Sequence, residues 1–576
     1  MKFSYSPVLS QAVPPWRARL MLCLLLAGFL ALVGRSLYLQ GIHNEFLQGK
    51  GEARYERTLS ISATRGRIMD RHGDVLAIST PVKSIWAIPE DARLQPADAR
   101  TLAQLLEMDL RELNRRLASE KDFVFIKRQV SPEIAEKVAA MKLPGIHEQQ
   151  EFRRYYPVAE VTAHVLGFTG VEDAGQEGVE LAFNDMLSGK PGSRRVIKDR
   201  RGNIVEDVES IRPPQDGKDI LLALDDKIQY LAYSNLKQAI EQYRARAGGV
   251  VVLDAKTGEV LALANLPAYN PNNRERLVGA QLRNRAFTDT FEPGSTMKPF
   301  TAALALEQGK FRYDTPIQTA PGRLVIGNAT IHDAHPHGVL TVAQVIQKSS
   351  NVGSAKMALS MPAESMWSMF DNLGFGAPLK LGFPGEVGGR LRPWKKWQPI
   401  EQATMAYGHG ISVTLIQLAR AYMAFARDGD LVPLSLTRMD NSPAPGKPIF
   451  SAQTAREVRN MLEMVVLPGG TATKAQVPGY RVAGKTGTAH KLDGGVYANK
   501  YVASFVGFAP ASDPRLVIAV MVDEPSNGIY YGGDVAAPVF SRVMAGALRT
   551  LGVAQDAPLT PPSATLAAAA DAKEEM

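Results

Sequence analysis

An apolar run near the N-terminus constrains this chain more than any other feature of its sequence. Leu20 to Gly34 contains only apolar or small residues, and Ser36 to Leu39 continues the run after one arginine. The run holds about 20 residues, the length of a helix that spans a bilayer. The sequence therefore predicts a single transmembrane anchor over residues 20–39.

Basic residues predict the direction of this anchor. Lys2, Arg17 and Arg19 precede the run. The positive-inside rule then predicts a cytoplasmic tail over residues 1–19 and places the rest of the chain outside the cytoplasm. Arg35 lies near the other end, where its long side chain can reach the interface. A cleaved signal peptide is the alternative, but no pair of small residues in an Ala-x-Ala arrangement follows the run.

Composition excludes several classes of protein. The chain has 576 residues and 45% hydrophobic content, enough for about three domains with sizeable cores. Its net charge of +8 is spread along the sequence without a block of like charges, so no nucleic-acid partner is predicted, and membrane proximity explains the excess equally well. The single cysteine, Cys23, excludes internal disulfides and multi-cysteine metal sites.

Turn and linker residues, mainly proline, glycine and charged residues, divide the rest of the chain into domains. A turn at residues 72–74 between apolar runs predicts a hairpin, and residues 98–142 show helical periodicity in two pieces broken near Lys121. The stretch "RPPQDGKD", residues 212–219, is typical of a linker. We therefore expect a first domain over 40–218. Residues 553–576, rich in Ala and Pro, are expected to be a disordered tail.

The second domain, residues 219–552, is predicted to be α+β. The stretch "DDKIQYLAYSNLKQAIEQYRARAG" predicts an amphipathic helix that ends at Gly248–Gly249, and "VVVLDAKTGEVLALAN" predicts two strands joined by a short turn. Helices return later in the sequence. A helix followed by antiparallel strands and further helices is the α+β pattern.

The stretch "FEPGSTMKPF" contains a candidate nucleophile. Pro293 and Gly294 interrupt the preceding structure, so a helix can begin at Ser295, and Lys298 three positions later would lie on the same face. A serine hydroxyl is a weak nucleophile until a base takes its proton. A lysine can be that base if burial or a nearby positive group lowers its pKa. The helix N-terminus would favour the developing anion.

Single matches to such short motifs carry little weight, because this chain repeats two of them. Ser234 and Lys237 also form Ser-x-x-Lys, but in the middle of the predicted helix, which favours a polar surface pair. A first Lys-Thr-Gly, residues 256–258, falls in the predicted turn between two strands, where such residues are expected anyway. The second, which begins at Lys485, can instead form part of a strand that lines a cleft.

The order of three motifs is more specific. Ser295-x-x-Lys298 is followed by Ser349-Ser350-Asn351 and then by Lys485-Thr486-Gly487, the set found in class A β-lactamases and penicillin-binding proteins. Ser349 can relay a proton between Lys298 and a leaving amine. We predict Ser295, Lys298 and Ser349 as catalytic residues.

The remaining motif residues are predicted to bind substrate. Asn351 can hold a substrate amide, Lys485 and Thr486 can bind a terminal carboxylate, and Gly487 leaves the strand open to an approaching peptide. The backbone N–H groups of Ser295 and Thr488 would form an oxyanion hole.

Longer stretches make the chain resemble class B penicillin-binding proteins, specifically the division-specific septal D,D-transpeptidase (penicillin-binding protein 3) type. The first domain carries "RGRIMDRHG", "EFRRYYPVAEVTAHVLGFT", "GQEGVELAFN" and "KDRRGN", similar to the pedestal, or dimerisation-type, domain of that class. The second carries "NRAFTDTFEPGSTMKPF", "KSSNVGSAKM", "TMAYGHGISVTLIQLARAY", "VPGYRVAGKTGTAHK" and "YYGGDVAAPVF". Three positions depart from the expected pattern: His72 for asparagine, Ala159 for glycine and His409 for tyrosine.

The resemblance implies a function in cell-wall synthesis. Ser295 would attack the D-Ala-D-Ala bond of a peptidoglycan stem peptide, release D-alanine and pass the acyl group to an amine on a neighbouring strand. β-Lactams would acylate the same serine. The resemblance also implies that Tyr501, Tyr530 and Tyr531 form an aromatic wall of the cleft, although tyrosines that flank glycines can equally be packing residues.

The same resemblance implies a location and partners. The protein would lie in the bacterial inner membrane at the division septum, with its catalytic domain in the periplasm. The first domain has no evident glycosyltransferase motif, so a separate membrane glycan polymerase would act with it, beside other division proteins. No cofactor is implied.

A metal site is the alternative for "HDAHPHG", residues 332–338, with three histidines and an aspartate. Acylation chemistry needs no metal, and Pro336 with Gly338 marks a turn, which favours a polar loop leading to Ser349. We therefore predict no metal.

Two other functions share the motifs: a penicillin-responsive sensor and a catalytically idle division scaffold. No signalling domain precedes the anchor, and an idle protein need not retain every motif residue. A β-lactamase would need rapid deacylation, which these residues do not reveal.

Overall fold

The structure of the protein is a computed structural model that describes residues 14–42, 56–121, 123–198, 204–275, 277–440, 445–493 and 496–558. The described chain forms two compact units. The first draws on the ranges 1–63, 83–150 and 190–215, and the second on 64–82, 151–189 and 216–576. Two segments that precede residue 190 therefore fold with the C-terminal part of the chain.

The elements before residue 222 are short apart from the first helix and strand β3. The helices are α1 Pro15–Leu37, α2 Pro96–Leu105, α3 Leu110–Leu117, α4 Pro132–Ala140, α5 Ala163–Leu166, α6 Gly178–Ala182 and α7 Asn184–Leu187. The strands are β1 Glu56–Ile61, β2 Ile68–Met69, β3 Val75–Ala87, β4 Val124–Val130, β5 Ile146–Tyr155, β6 Gly192–Lys198, β7 Ile204–Arg212 and β8 Ile220–Leu221.

Helix α1 contains the predicted anchor. No side chain of this 23-residue helix is buried within the described structure. Among the described residues it is the one helix long and apolar enough to cross a membrane. It begins at Pro15, before the predicted start at residue 20, because proline at the first helical position fits the helix without losing a hydrogen bond. Residues 1–13 of the predicted cytoplasmic tail lie outside the described residues.

The first unit has its own core, formed by α2, α3 and α4 against β4 and the end of β3. Leu102, Leu113, Ile126 and Val138 are buried there. The prediction of two helical pieces over residues 98–142 was wrong, because three helices and strand β4 occupy this range. The run "VFIKRQV" is rich in β-branched and aromatic residues, and it pairs with β3 instead of continuing a helix.

The second unit contains all the elements after residue 216. Its helices after residue 222 are α8 Asp226–Gln242, α9 Gly279–Leu282, α10 Arg285–Thr288, α11 Lys298–Glu307, α12 Val342–Lys348, α13 Asn351–Leu359, α14 Ala363–Asn372, α15 Pro399–Met405, α16 Leu415–Ala426, α17 Ala452–Val466, α18 Gly532–Val535 and α19 Ala537–Thr550. Its strands there are β9 Ala247–Asp254, β10 Val260–Leu266, β11 Pro316–Gln318, β12 Arg323–Ile326, β13 Ala329–His332, β14 Val339–Thr341, β15 Asp430–Leu431, β16 Lys447–Pro448, β17 Ala483–Asp493, β18 Val496–Ala509 and β19 Leu516–Asp523.

A five-stranded antiparallel sheet organises this unit, in the order β10-β9-β19-β18-β17. Helices cover both faces. A Cβ at Gly248 would touch Leu236 of α8, whereas one at Gly249 would touch Leu415 of α16. Because neighbouring residues of a strand point to opposite faces, α8 and α16 lie on opposite sides of the sheet. Together with the anchor helix, this is the α+β architecture that the sequence predicts.

Two predicted element ends differ from the structure. Helix α8 ends at Gln242, and β9 already begins at Ala247, so the glycine pair belongs to the strand instead of ending the helix. Arg244, with φ of 48°, makes the turn between them. The first residues of the predicted tail are also held in place, because the carboxylate of Asp556 accepts a hydrogen bond from the backbone N–H of Arg481 at 2.7 Å. Residues 559–576 lie outside the described residues.

Candidate active site

Ser295 lies in a tight turn that leads into helix α11. Residues Gly294–Met297 form a 3₁₀ turn, and the α-helix begins at Lys298. Side chains three residues apart are eclipsed in a 3₁₀ turn, so Ser295 and Lys298 lie on the same face. Ser295 is 3% exposed and Lys298 is fully buried. The α-helix therefore begins one turn after the start at Ser295 that the sequence predicts, while Ser295 and Lys298 still share one face.

Close backbone approach holds this turn from two sides. Gly294 has φ of 60°, a left-handed conformation that favours glycine. A Cβ on Gly408 would lie 2.3 Å from the carbonyl oxygen of Gly294, so the loop at Gly408 packs directly on the turn. A Cβ on Gly487 would lie 2.7 Å from the carbonyl oxygen of Pro293. The third motif thus needs its glycine because strand β17 touches the turn that carries Ser295.

Ser349 lies between two helices in a strained conformation. It follows α12 and has φ of 64°, in the left-handed region that is uncommon for residues other than glycine. Ser350 begins α13 by accepting a hydrogen bond from the backbone N–H of Gly353 at 2.9 Å. Such strain persists only where the surroundings fix it, and it often marks a functional position.

The hydroxyl of Ser349 joins the first and third motifs. Lys298 Nζ donates to Ser349 Oγ at 3.0 Å and also to the Ser349 carbonyl oxygen. Lys485 Nζ donates to the same Oγ at 2.9 Å and to Thr486 Oγ1 at 3.2 Å. Both lysines are fully buried. Burial and a neighbouring ammonium group are the two conditions that make a lysine able to act as a base.

Strand β17 forms one wall beside this cluster. It is the last strand of the sheet order, so among the described strands of the sheet none pairs with its outer edge. An edge strand can pair with an extended peptide. Thr486 shares a hydrogen bond with Thr471 at 3.0 Å, and Thr488 Oγ1 accepts a hydrogen bond from the backbone N–H of Gly532 at 2.9 Å. These contacts fix the strand next to Ser295.

Asn351 is held by the segment 332–338, which the sequence predicts to be a polar loop leading to Ser349. Its Nδ2 donates to the carbonyl oxygen of His332 at 3.0 Å. The neighbouring Asp333 accepts hydrogen bonds from Ser350 Oγ at 2.8 Å and from the backbone N–H of Val352 at 2.7 Å. Asp333 therefore positions the whole second motif. In the sequence Asp333 is distinguished only by the three histidines near it, and no local pattern predicts this contact.

The three predicted tyrosines are together. Tyr501 and Tyr530 stack with ring centroids 4.1 Å apart and planes 10° apart, and Tyr531 follows with its centroid 4.7 Å from Tyr530. His490 of β17 lies against Tyr501 with centroids 4.6 Å apart. The three tyrosines and His490 therefore form one row of aromatic rings, which begins at the strand that carries the third motif.

The duplicate motifs lie elsewhere. Ser234 is on helix α8 and donates to the carbonyl oxygen of Leu231 at 3.3 Å. Lys256 is in the turn between β9 and β10 and forms an ion pair with Asp513. The interpretation of both copies as structural residues agrees with these contacts.

Two of the three departures from the family pattern lie before residue 190. His72 Nε2 lies 3.0 Å from Asp225 Oδ2. Ala159 has φ of 45°, which explains why glycine suits that position. Neither residue belongs to one of the three motifs.

The third departure, His409, lies in an aromatic cluster. It contacts Tyr407 and Tyr497, with ring centroids 5.2 and 6.0 Å apart. Burial, with the charge of Lys298 as a smaller contribution, lowers the pKa of His409 to about 4. The imidazole is therefore neutral at neutral pH.

Comparison with known proteins identifies the family. The model of the penicillin-binding protein transpeptidase domain matches residues 248–545, and that of the penicillin-binding protein dimerisation domain matches residues 60–222. The chain belongs to the penicillin-binding protein transpeptidases. The second unit contains the whole transpeptidase match, which includes Ser295, Lys298, Ser349 and Lys485.

Relatives and solved structures are similar over long stretches. The probable peptidoglycan D,D-transpeptidase PenA of Neisseria gonorrhoeae is 47% identical over 538 residues, 92% of each chain. Peptidoglycan D,D-transpeptidase FtsI of Escherichia coli K12 is 42% identical over 550 residues, 94% of this chain and 93% of that one. The transpeptidase domain of penicillin-binding protein 3 from Burkholderia pseudomallei is 51% identical, with a TM-score of 0.55, over 58% of this chain and 98% of that one.

Proposed function

We propose that this protein is a serine D,D-transpeptidase that cross-links peptidoglycan stem peptides through an acyl-enzyme on Ser295. The observation that carries the proposal is the convergence of Lys298 and Lys485 on the hydroxyl of Ser349, beside the turn of Ser295. Relatives named as peptidoglycan D,D-transpeptidases support the reaction class.

Acylation begins when Ser295 Oγ attacks the carbonyl carbon between the two D-alanines of the donor peptide. Lys298 accepts the hydroxyl proton, and Ser349 relays a proton to the amine of the leaving D-alanine. The C–N bond breaks and D-alanine departs. The backbone N–H groups of Ser295 and Thr488 stabilise the oxyanion.

Transfer uses the same groups in reverse. The amine of a second stem peptide attacks the ester carbon, and a proton from that amine returns to Ser295 Oγ through Lys298 as the C–O bond breaks. An amide and the free serine result. β-Lactams acylate Ser295 in the first step but leave no separate group to diffuse away.

Strand β17 supplies donor binding. The donor peptide pairs with the open edge of β17, Lys485 and Thr486 bind its terminal carboxylate, Gly487 permits the approach, and Asn351 holds a backbone amide. The aromatic wall of the cleft is formed by Tyr501, Tyr530 and Tyr531.

We further propose the topology and partners of the protein. Helix α1 anchors it in the bacterial inner membrane as a single pass, with the N-terminus in the cytoplasm and the transpeptidase domain, residues 219–552, in the periplasm at the division septum. Residues 40–218 form the pedestal domain that receives signals from division proteins. A separate membrane protein polymerises the glycan, because the matched domains are for transpeptidation and dimerisation.

A transfer assay tests this function. The full-length protein in detergent is incubated with a stem-peptide donor ending in D-Ala-D-Ala and a second peptide with a free side-chain amine. We expect a cross-linked product and released D-alanine by mass spectrometry, and neither with Ser295→Ala. Acyl-enzyme formation without any cross-linked product would contradict transfer and favour a sensor or a hydrolase.

A further inference from the structure

A carboxylate three residues before the nucleophile has no role in the steps described so far. Glu292 follows Phe291, whose backbone exchanges two hydrogen bonds with Val413 at 3.0 Å, and it precedes the fixed turn at Gly294. The backbone on both sides of Glu292 is therefore held in place. Its carboxylate keeps a constant position relative to Ser295.

Two neighbouring segments meet at this carboxylate. Glu292 Oε1 accepts a hydrogen bond from the backbone N–H of Gly410 at 2.8 Å, and Oε2 accepts one from the hydroxyl of Tyr497 at 3.0 Å. Gly410 belongs to the loop that packs on Gly294, and Tyr497 is near the start of β18. Both oxygens keep further acceptor capacity, because a carboxylate offers about four lone-pair sites.

The partners of Glu292 carry no positive charge. Among the described residues, no lysine, arginine or histidine forms an ion pair with it. The side chain is half-buried, and this burial raises its pKa. A half-buried carboxylate gains most from a partner with a positive charge.

The surroundings of this carboxylate are aromatic. His409 contacts the ring of Tyr497, and Tyr497 in turn contacts His490, with ring centroids 6.0 and 6.3 Å apart. His409 is neutral at neutral pH because burial lowers its pKa to about 4. Tyr497 is 49% exposed, so the group opens to solvent. Aromatic faces attract cations, which adds to the attraction of the carboxylate.

We propose that Glu292, with the ring faces of His409 and Tyr497, binds the ammonium group of the acceptor peptide before transfer. The inference rests on the proposed transpeptidase function, since an acceptor amine is needed only for transfer. Glu292 binds and orients this ammonium group and takes one of its protons, which leaves the neutral amine that attacks the ester carbon. Acylation of Ser295 by the donor does not need it, so the two half-reactions depend on different residues.

The test separates acceptor binding from acylation in the full-length protein in detergent. A soluble thioester peptide serves as donor, and a tripeptide with a free side-chain amine serves as acceptor. The transfer and hydrolysis products are quantified by mass spectrometry as the acceptor concentration is varied. Wild type is compared with Glu292→Gln, which retains the size of the side chain, and with Glu275→Gln, an exposed control.

We expect Glu292→Gln to raise the KM for the acceptor at least tenfold while the rate of acylation by the donor changes less than twofold. Glu292→Asp should recover part of the acceptor affinity, and Glu275→Gln should match wild type. An unchanged acceptor KM in Glu292→Gln, with transfer intact in wild type, would overturn this inference alone. An equal loss of acylation and transfer would assign Glu292 a structural role and also overturn it. Absence of transfer in wild type would overturn the proposed function itself.

Discussion

At the scale of single residues, Ser349 combines strain with two charged contacts. Its hydroxyl accepts hydrogen bonds from two buried lysines, and its backbone has φ of 64°. The motif resemblance indicated its chemistry. The left-handed conformation could not be read from the sequence, because it depends on how α12 and α13 meet. The contact of Asp333 with the second motif could not be read from the sequence either, because it depends on how the loop after β13 lies against the start of α13.

Two substitutions separate the hydroxyl from the backbone strain. Ser349→Ala and Ser349→Gly both remove the proton relay, so we expect the acylation rate to fall about 100-fold or more in each. Glycine relieves the left-handed strain, worth roughly 1 kcal/mol, so its Tm should be at least that of the alanine variant. Stopped-flow acylation and thermal unfolding measure the two effects. Ser234→Ala, on α8, is the control, and an unchanged acylation rate in both Ser349 variants would contradict the relay.

His164 gives a pH-dependent prediction for stability. Burial lowers its pKa from 6.5 to about 4, and its Nε2 lies 2.7 Å from the carbonyl oxygen of Gln281. The unfolded chain therefore binds more protons between pH 6.5 and 4, so stability falls as the pH drops through that window. The loss approaches about 3 kcal/mol at the lower end, since each pH unit corresponds to about 1.4 kcal/mol.

Urea unfolding at several pH values checks this prediction. His164→Gln keeps a hydrogen-bond donor but does not titrate, so its stability should decline less than that of wild type between pH 6.5 and 4. Equal slopes for the two proteins would show that His164 does not contribute.

At the scale of elements, the pairing of the first and third motifs depends on the contact between β17 and the turn of Ser295. The sequence predicted that Lys485 begins part of a strand, and β17 is that strand. The sequence did not indicate β4, because the helical periodicity around it was stronger than its short β-branched run. It also placed the end of α8, at Gly248, six residues after the observed end at Gln242, since glycines mark strand interiors as well as helix ends.

Gly487→Ala tests this contact. The new Cβ would lie 2.7 Å from the Pro293 carbonyl oxygen and 2.5 Å from Ser504 Oγ, so β17 must move away from the turn. Misplacement of about 1 Å can cost roughly 100-fold in rate, and we expect an acylation loss of that order. Gly279→Ala is the matched control, because no described atom beyond its chain neighbours lies within 4 Å of its Cβ. Penicillin acylation rates like those of wild type in Gly487→Ala would refute the contact.

At the scale of the whole molecule, residues far apart in the chain share one buried charge cluster in the second unit. Glu180 Oε2 accepts a hydrogen bond from Arg65 Nε at 2.7 Å, and Oε1 accepts one from Arg154 Nε at 2.6 Å, with all three side chains at most 1% exposed. Arg65 and Arg154 come from the segments before residue 190 that fold with the C-terminal part. The turn and linker residues of the sequence predicted two domains that follow each other along the chain. Such a pattern cannot show that the segments of the two units alternate in sequence.

Glu180→Gln should therefore be strongly destabilising. It leaves two buried arginines without their counter-ion, for an expected cost of about 3–5 kcal/mol in the free energy of unfolding. Asp513→Asn removes the partner of the exposed Lys256 and should cost less than about 1 kcal/mol. Denaturant unfolding of both variants gives the comparison. Similar small costs would mean that the buried cluster does not hold the segments together.

The central claim is that this molecule acts through one nucleophile, Ser295. The most direct measurement is mass spectrometry of the intact full-length protein and of its peptides after incubation with benzylpenicillin, beside Ser295→Ala. We predict one stable adduct on the peptide that contains Ser295 and none in the variant. An adduct that persists in Ser295→Ala, or no adduct on folded wild-type protein, would contradict the account.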